Sequence, residues 1–200
     1  MSVALNNVAN AARARGDLAA AERLFAESLG IRRALATELD TPEARRDVSV
    51  SLNNVADAAR ARGDLAAAER LFAESLDISR ALATELDTPE ARRDVSVSLN
   101  NVAQILAAKG DFEGARGLFE QGLDIVVGLQ QQTGAAELGR DRALCHFNLA
   151  RVAQAQGDLT AARAALIAAR EAAEVFGRQQ PISDAGDIVA AVDAALAQLE

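Results

Sequence analysis

The stretch "SLNNVADAARARGDLAAAERLFAESLDI", Ser51 to Ile78, decides the fold, because the chain writes it more than once. Ala4 to Ile31 reads "ALNNVANAARARGDLAAAERLFAESLGI", and Ser98 to Ile125 reads "SLNNVAQILAAKGDFEGARGLFEQGLDI". The pairs Gly16-Asp17, Gly63-Asp64, Gly110-Asp111 and Gly157-Asp158 fall 47 residues apart. Residues 2–48 and 49–95 differ only at Ala4/Ser51, Asn10/Asp57, Gly30/Asp77 and Arg32/Ser79. Self-similarity at a fixed period of this size marks a repeat architecture, in which each unit buries its apolar face against its neighbours.

Within one period the apolar spacing gives two helices. Ala44, Val48, Leu52, Val55 and Ala59 follow steps of 4, 4, 3 and 4, a single helical stripe. Gly63 then stops the first helix as a left-handed cap residue, and Asp64 is placed to cap the second. The second helix carries Leu65, Ala68, Phe72, Leu76 and Ala83 on one stripe and Leu71, Ile78 and Leu82 on another. Two stripes mean cover on both flanks, as stacking requires. In "DTPEARRD" Thr88 suits the N-cap, Pro89 the first helical position and Glu90 the positive end of the helix dipole. Each helix is predicted to run about 20 residues, roughly 30 Å.

Composition narrows the class. Half the 200 residues are apolar, yet there are only six Phe and no Trp or Tyr, so alanine-mediated helix contact must form the core. The net charge is −8. From Val95 onward 8 basic and 13 acidic residues contribute −5 of it. That balance argues against nucleic acid and favours a neutral or basic protein or peptide partner. Lys109 is the single Lys beside 20 Arg, a bias read as a GC-rich, bacterial genome. One cysteine allows no intramolecular disulfide, and no signal peptide or membrane span is legible, so a soluble cytoplasmic protein is expected.

The pattern x-L-x-N-[VL]-A…G-D…A…[FL] resembles the tetratricopeptide repeat over nearly the whole chain. It is most similar to kinesin-light-chain-like repeats and to long-period bacterial forms found in signalling ATPases and caspase-like proteases. The resemblance implies an all-α, right-handed superhelical solenoid of four helix pairs. Their bounds fall near 2–40, 41–87, 88–132 and 133–177, with a capping helix near 183–199, as a single domain over 1–200. It also implies that Ala9, Ala56, Ala103 and Ala150 pack on Ala21, Ala68, Ala115 and Ala162, one turn from Phe25, Phe72, Phe119 and Leu166. The chain departs from the family in lacking the usual first-helix aromatic and the Pro after the second helix, and in exceeding the ordinary 34-residue period. At the C-terminal end Gly177 and Pro181 break the pattern, and Ser183 or Asp184 would cap the last helix. "QQQTGAAELGRD" replaces Thr-Pro-Glu before the fourth unit, so looser stacking is expected there.

Asn recurs at Asn7, Asn54, Asn101 and Asn148, preceded by a second Asn at Asn6, Asn53 and Asn100. Asn is a mediocre helix residue, so its mid-helix recurrence needs a cause. In peptide-binding family members the matching Asn bonds the ligand main chain in the concave groove. An inter-repeat hydrogen bond that fixes stacking is the alternative. Arg13 and Arg60, six residues further on, would lie near the same groove or pair with surface acids. Arg46, Arg93 and Arg140 are expected to pair with acids of the preceding unit.

Cys145-His146 is the only pair with catalytic letters, but adjacent helical residues point about 100° apart and form no ready dyad. His146 fills the slot of Leu5, Leu52 and Leu99, so a core or partly buried position is expected. No catalytic set, metal set or cofactor motif stands out. The function expected is a protein–protein interaction scaffold without catalysis, its groove using Asn7, Asn53, Asn54, Asn100, Asn101, Asn148, Arg13 and Arg60. Two alternatives stand beside it: a sensor or regulatory segment of a larger bacterial signalling NTPase or caspase-like protease, and a structural module that self-associates through its open N-terminal end.

Overall fold

The computed structural model describes residues 2–180 and 184–199. Pro181 and Ser183, the expected break and one of two candidate caps, lie outside the described residues. Among the described residues all regular structure is helical. It comprises α1 (Ser2–Ala14), α2 (Leu18–Leu39), α3 (Pro42–Ala61), α4 (Leu65–Leu86), α5 (Pro89–Ala108), α6 (Phe112–Thr133), α7 (Leu138–Ala155), α8 (Leu159–Gln179) and α9 (Ala185–Ala197). Four helix pairs are thus followed by one further helix, the expected all-α repeat. The longer period goes into length, since α3 has 20 residues and α4 has 22.

Sequence sets the helix ends through a repeated three-residue turn. Gly16, Gly63, Gly110 and Gly157 adopt φ of 80°, 82°, 87° and 79°, a conformation that a Cβ disfavours. Asp17, Asp64, Asp111 and Asp158 then accept the amide protons of Ala20, Ala67, Gly114 and Ala161 at 2.9–3.0 Å. Thr41 and Thr88 cap α3 and α5 by accepting from Ala44 and Ala91, with Pro42 and Pro89 opening each helix. The second helices end in a way the sequence did not announce. Asp40 and Asp87 take the left-handed conformation, at φ of 46° and 49°, where Gly134 serves after α6. Before α7 the changed lead-in leaves Glu137 at the N-cap without a side-chain bond.

The chain divides into two compact units, Met1–Ser98 and Leu99–Glu200. In the first, α1 packs on α2, α2 on α3 and α3 on α4. Ala9, Ala21, Phe25, Ala56, Ala68 and Phe72 are all buried, in the register the repeat requires. Full burial of each ring contributes about 1.5–3 kcal/mol. This unit also buries a serine seam. Ser75 Oγ donates to the Ser49 carbonyl at 3.2 Å, so the 3.0 Å contact between the two hydroxyls takes its proton from Ser49. Ser79 Oγ donates to the Ser75 carbonyl, and Ser98 Oγ lies 3.0 Å from Ser79 Oγ.

In the second unit α7 packs on α6 and α8, and α9 packs on both α7 and α8. Ala103, Ala115, Phe119, Ala150, Ala162 and Leu166 are buried as expected. The period mates of Ser49, Ser75 and Ser79 are Ala143, Gly122, Val126, Ala169 and Ala173, so this interior is apolar. Leu138 seats the lead-in of α7 against Val126 and Leu129. Ile188 and Val192 of α9 join Leu166 and Ala169 in one cluster. Asp184 precedes α9 without a side-chain cap bond; its carboxylate takes a bidentate ion pair from Arg140 instead, which holds its proton affinity below the usual carboxylate range.

Candidate protein-interaction face

The first helices place their Asn residues half in and half out of the packing. In the first unit Asn7 is exposed, Asn53 and Asn54 are half-buried, and the Oδ1 atoms of Asn6 and Asn53 are enclosed without a hydrogen-bond partner. In the second unit Asn100 Oδ1 accepts a 3.0 Å hydrogen bond from Asn148 Nδ2, and Asn101 is half-buried. Helix position explains the division. The Asn nearer the buried stripe points partly into the array, and its neighbour about 100° around the axis turns toward solvent.

Beside the outward Asn lies a row that periodicity alone could have revealed. Val3, Val50 and Val97 share one repeat position, off the core stripe of Val48 and Leu52, and they are 62%, 50% and 41% exposed. Val3 and Val50 stand one helical turn before Asn7 and Asn54, on the same side of their helices. The first unit therefore presents an apolar surface bordered by amides. An amide both donates and accepts, and a valine offers dry contact.

The arginines are largely engaged. Arg13 donates to Asn10 at 3.1 Å, and Arg60 to Asp57 at 2.8 Å, each within its own helix. Arg46 makes a two-point ion pair with Asp94, which raises its proton affinity through that hydrogen bond and charge. The acid comes from the following lead-in, not from the preceding unit as expected. Arg140 likewise reaches forward, to Asp184. For Arg46 the reason is period geometry: the lead-in acids Asp47 and Asp94 recur beside the lead-in arginines, so the next copy offers a carboxylate at matching height. For Arg140 the acid is Asp184, which lies off that register because Ile188 stands at the period position.

The surroundings of the Cys145–His146 pair disfavour a thiolate. Cys145 is buried, and that burial, with Asp141 nearby, pushes its thiol up to about 12. A thiolate is what a cysteine nucleophile needs. His146 is half-buried, and burial first, then the Arg142 charge, lowers its proton affinity. Among the described residues no His, Cys, Asp and Glu group suits a metal ion, and no helix is long and apolar enough to cross a membrane.

Comparison with known proteins places these features in a family. The Tetratricopeptide repeat family matches residues 1–81 and, again, 47–126, together well over half the chain. No curated protein matches. Among solved structures, the chain is similar to a single-residue variant of a kinesin-light-chain candidate from Podosopora anserina with nearly identical TPR-like repeats. That likeness has 20% identity and a TM-score of 0.63, covering 98% of this chain and 94% of that one. It is also similar to BtubC (BKLC) from P. vanneervenii, at 18% identity and a TM-score of 0.63, covering 98% and 76%. The apo form of RapI follows at 14% identity and a TM-score of 0.65, covering 98% and 64%. Identities this low speak for the fold alone. Repeats of this kind serve in general as protein-interaction modules and not as catalysts. The chain belongs to the tetratricopeptide repeat family.

Proposed function

We propose that the chain is an interaction scaffold that holds a peptide or protein segment against the outward face of its first helices. The observation that carries this is the exposed row Val3, Val50 and Val97 in the first unit. Two near-identical repeats keep a solvent-facing valine one turn from Asn7 and Asn54, where packing asks for neither. In the second unit Asn101 and Asn148 hold the same repeat position, and Asn148 is engaged with Asn100. Arg13 and Arg60 flank the face, and the overall charge of −8 favours a neutral or basic segment. The test is a partner screen with the whole chain, repeated with Val50→Asp and with Asn54→Ala. Loss of about tenfold or more in affinity, with unchanged helicity, supports the proposal. A partner bound equally by both variants uses another surface and refutes it.

A second reading, self-association, is favoured by one specific observation. Val8 is 53% exposed while its repeat mate Val55 is 7% exposed. Ala4 and Ala11 are exposed in the same way, whereas Ser51 and Ala58 are buried. In α3 that face is covered by α2, so α1 offers a face shaped for another helix, and the same exposed face of α1 in a second copy is free to meet it.

A further inference from the structure

A cavity of about 130 Å³ opens among α6, α7 and α8, lined by Gln130, Gly139, Arg142, Glu171, Ala172 and Val175. Its walls are built from letters that break the repeat. Arg142 stands where Val48 and Val95 are buried in the core. Ala172 stands where Ile31, Ile78 and Ile125 recur, and the missing carbons leave space. Gln130 replaces Ala36 and Ala83, and Gly139 replaces Arg45 and Arg92. Gly139 is tight against α8, where an added Cβ would come within 3.0 Å of Phe176 Cβ. Four departures from one pattern thus meet at one place.

Their chemistry is specific. Arg142 Nε is enclosed and its N–H has no acceptor. A buried donor left unpaired loses its hydration and gains nothing in return. Glu171 is exposed and lines the same cavity, yet no ion pair joins it to Arg142. The space therefore holds a cation, an anion and an amide on its walls, with Ala172 and Val175 between them.

We propose that this cavity binds a small zwitterion, an α-amino acid with a short aliphatic side chain. The ligand carboxylate pairs with the cavity side of the Arg142 guanidinium and takes the Gln130 amide, since a guanidinium fork matches a carboxylate plane. The ammonium faces Glu171, and the side chain rests on Ala172 and Val175. The volume takes a handful of heavy atoms and no peptide. The site is separate from the valine row of the first helices and stands or falls independently of it.

His146 supplies a reporter. It is the single histidine, and it lies one turn beyond Arg142 on α7, whose charge helps depress its protonation. A carboxylate seated on Arg142 offsets that charge and raises the His146 titration. The experiment is NMR of the whole chain titrated with L-alanine and with L-valine, using acetate and methylamine as half-ligand controls. Either amino acid at millimolar concentration is expected to move the Arg142 Nε–H resonance and shift the His146 titration upward. Acetate should bind at least tenfold more weakly, a difference of about 1.4 kcal/mol, and methylamine not at all. Ala172→Ile restores the repeat's own residue and fills the cavity, so it should fold and lose binding. Glu171→Gln should weaken the amino acid but not acetate. No response to either amino acid at tens of millimolar overturns the proposal. So does acetate binding as tightly as the amino acids, or binding that survives Ala172→Ile.

Discussion

Asn148 Nδ2 donates to Asn100 Oδ1 at 3.0 Å, a bond between side chains 48 residues apart in sequence. One amide of a recurring pair is thereby used to join neighbouring first helices of the second unit. Phe147 takes the position that would otherwise continue the inner Asn series, so Asn100 is its last member. Removing the acceptor strands a half-buried amide donor. Asn100→Ala is expected to lower stability by about 0.5–1.5 kcal/mol. Asn7→Ala, at an exposed site, should stay within about 0.5 kcal/mol of the parent. Urea unfolding of the two variants measures both, and equal midpoints would remove the structural role of the bond.

The turn between paired helices depends on backbone conformation and not on space. A Cβ at Gly63 meets nothing within 4 Å, yet φ there is 82°. Gly128, in the middle of α6, also has open space, but with ordinary helical geometry. Gly63→Ala should therefore destabilise by about 1–2 kcal/mol, the cost of a left-handed L-residue. Gly128→Ala should stabilise by about 0.5–1 kcal/mol, by restricting the unfolded chain and favouring helix. Thermal melts moving in opposite directions are the expected signature, and two changes of the same sign would contradict it.

Much of this architecture was legible because the repeat states its own rules. Gly63-Asp64 and Thr88-Pro89 announce their caps through fixed backbone chemistry, and Ala56, Ala68 and Phe72 announce their contact through spacing. Asp40 and Asp87 did not, since Asp takes the left-handed region only occasionally and the surrounding turn decides where it does. The serine seam was hidden for a related reason. Ser49, Ser75 and Ser79 look like ordinary surface letters until α3 and α4 bring their hydroxyls together. The forward ion pairs of Arg46 and Arg140 depend on which neighbour stands at matching height, a relationship that sequence distance does not encode. Val50 was readable from periodicity, but attention to the core stripe passes over an apolar residue that lies outside it.

His146 gives the fold a pH dependence with a definite sign. Its proton affinity is lowered in the folded state by burial and by Arg142. Below the ordinary histidine value of 6.5 the unfolded chain takes up a proton that the folded chain resists. Stability is therefore complete above that value and declines as pH falls below it, toward the depressed folded value. His146→Leu, which restores the residue found at Leu5, Leu52 and Leu99, should abolish that slope. Urea midpoints at about pH 7.5 and about pH 5.5, bracketing the histidine range, make the comparison. An equal slope in parent and variant would assign the pH dependence to other groups.

The face of α1 gives the last prediction. Ala4, Val8 and Ala11 are exposed, while their mates Ser51, Val55 and Ala58 lie under packed helices. The two faces differ only at Ala4/Ser51, so what fits one fits the other. Burying one valine contributes about 1.5–3 kcal/mol, and two alanines permit close helix approach. A second copy meeting this face would bury Val8. The chain should then sediment as a larger species at high micromolar concentration and as a monomer at low concentration. Val8→Glu places a charge at the centre of the face and should hold the chain monomeric throughout, with helicity unchanged because Val8 is outside the core. Association that persists in Val8→Glu would move the contact elsewhere. A parent that remains monomeric at every concentration would leave the face to a different helix, such as a repeat joined ahead of Ser2.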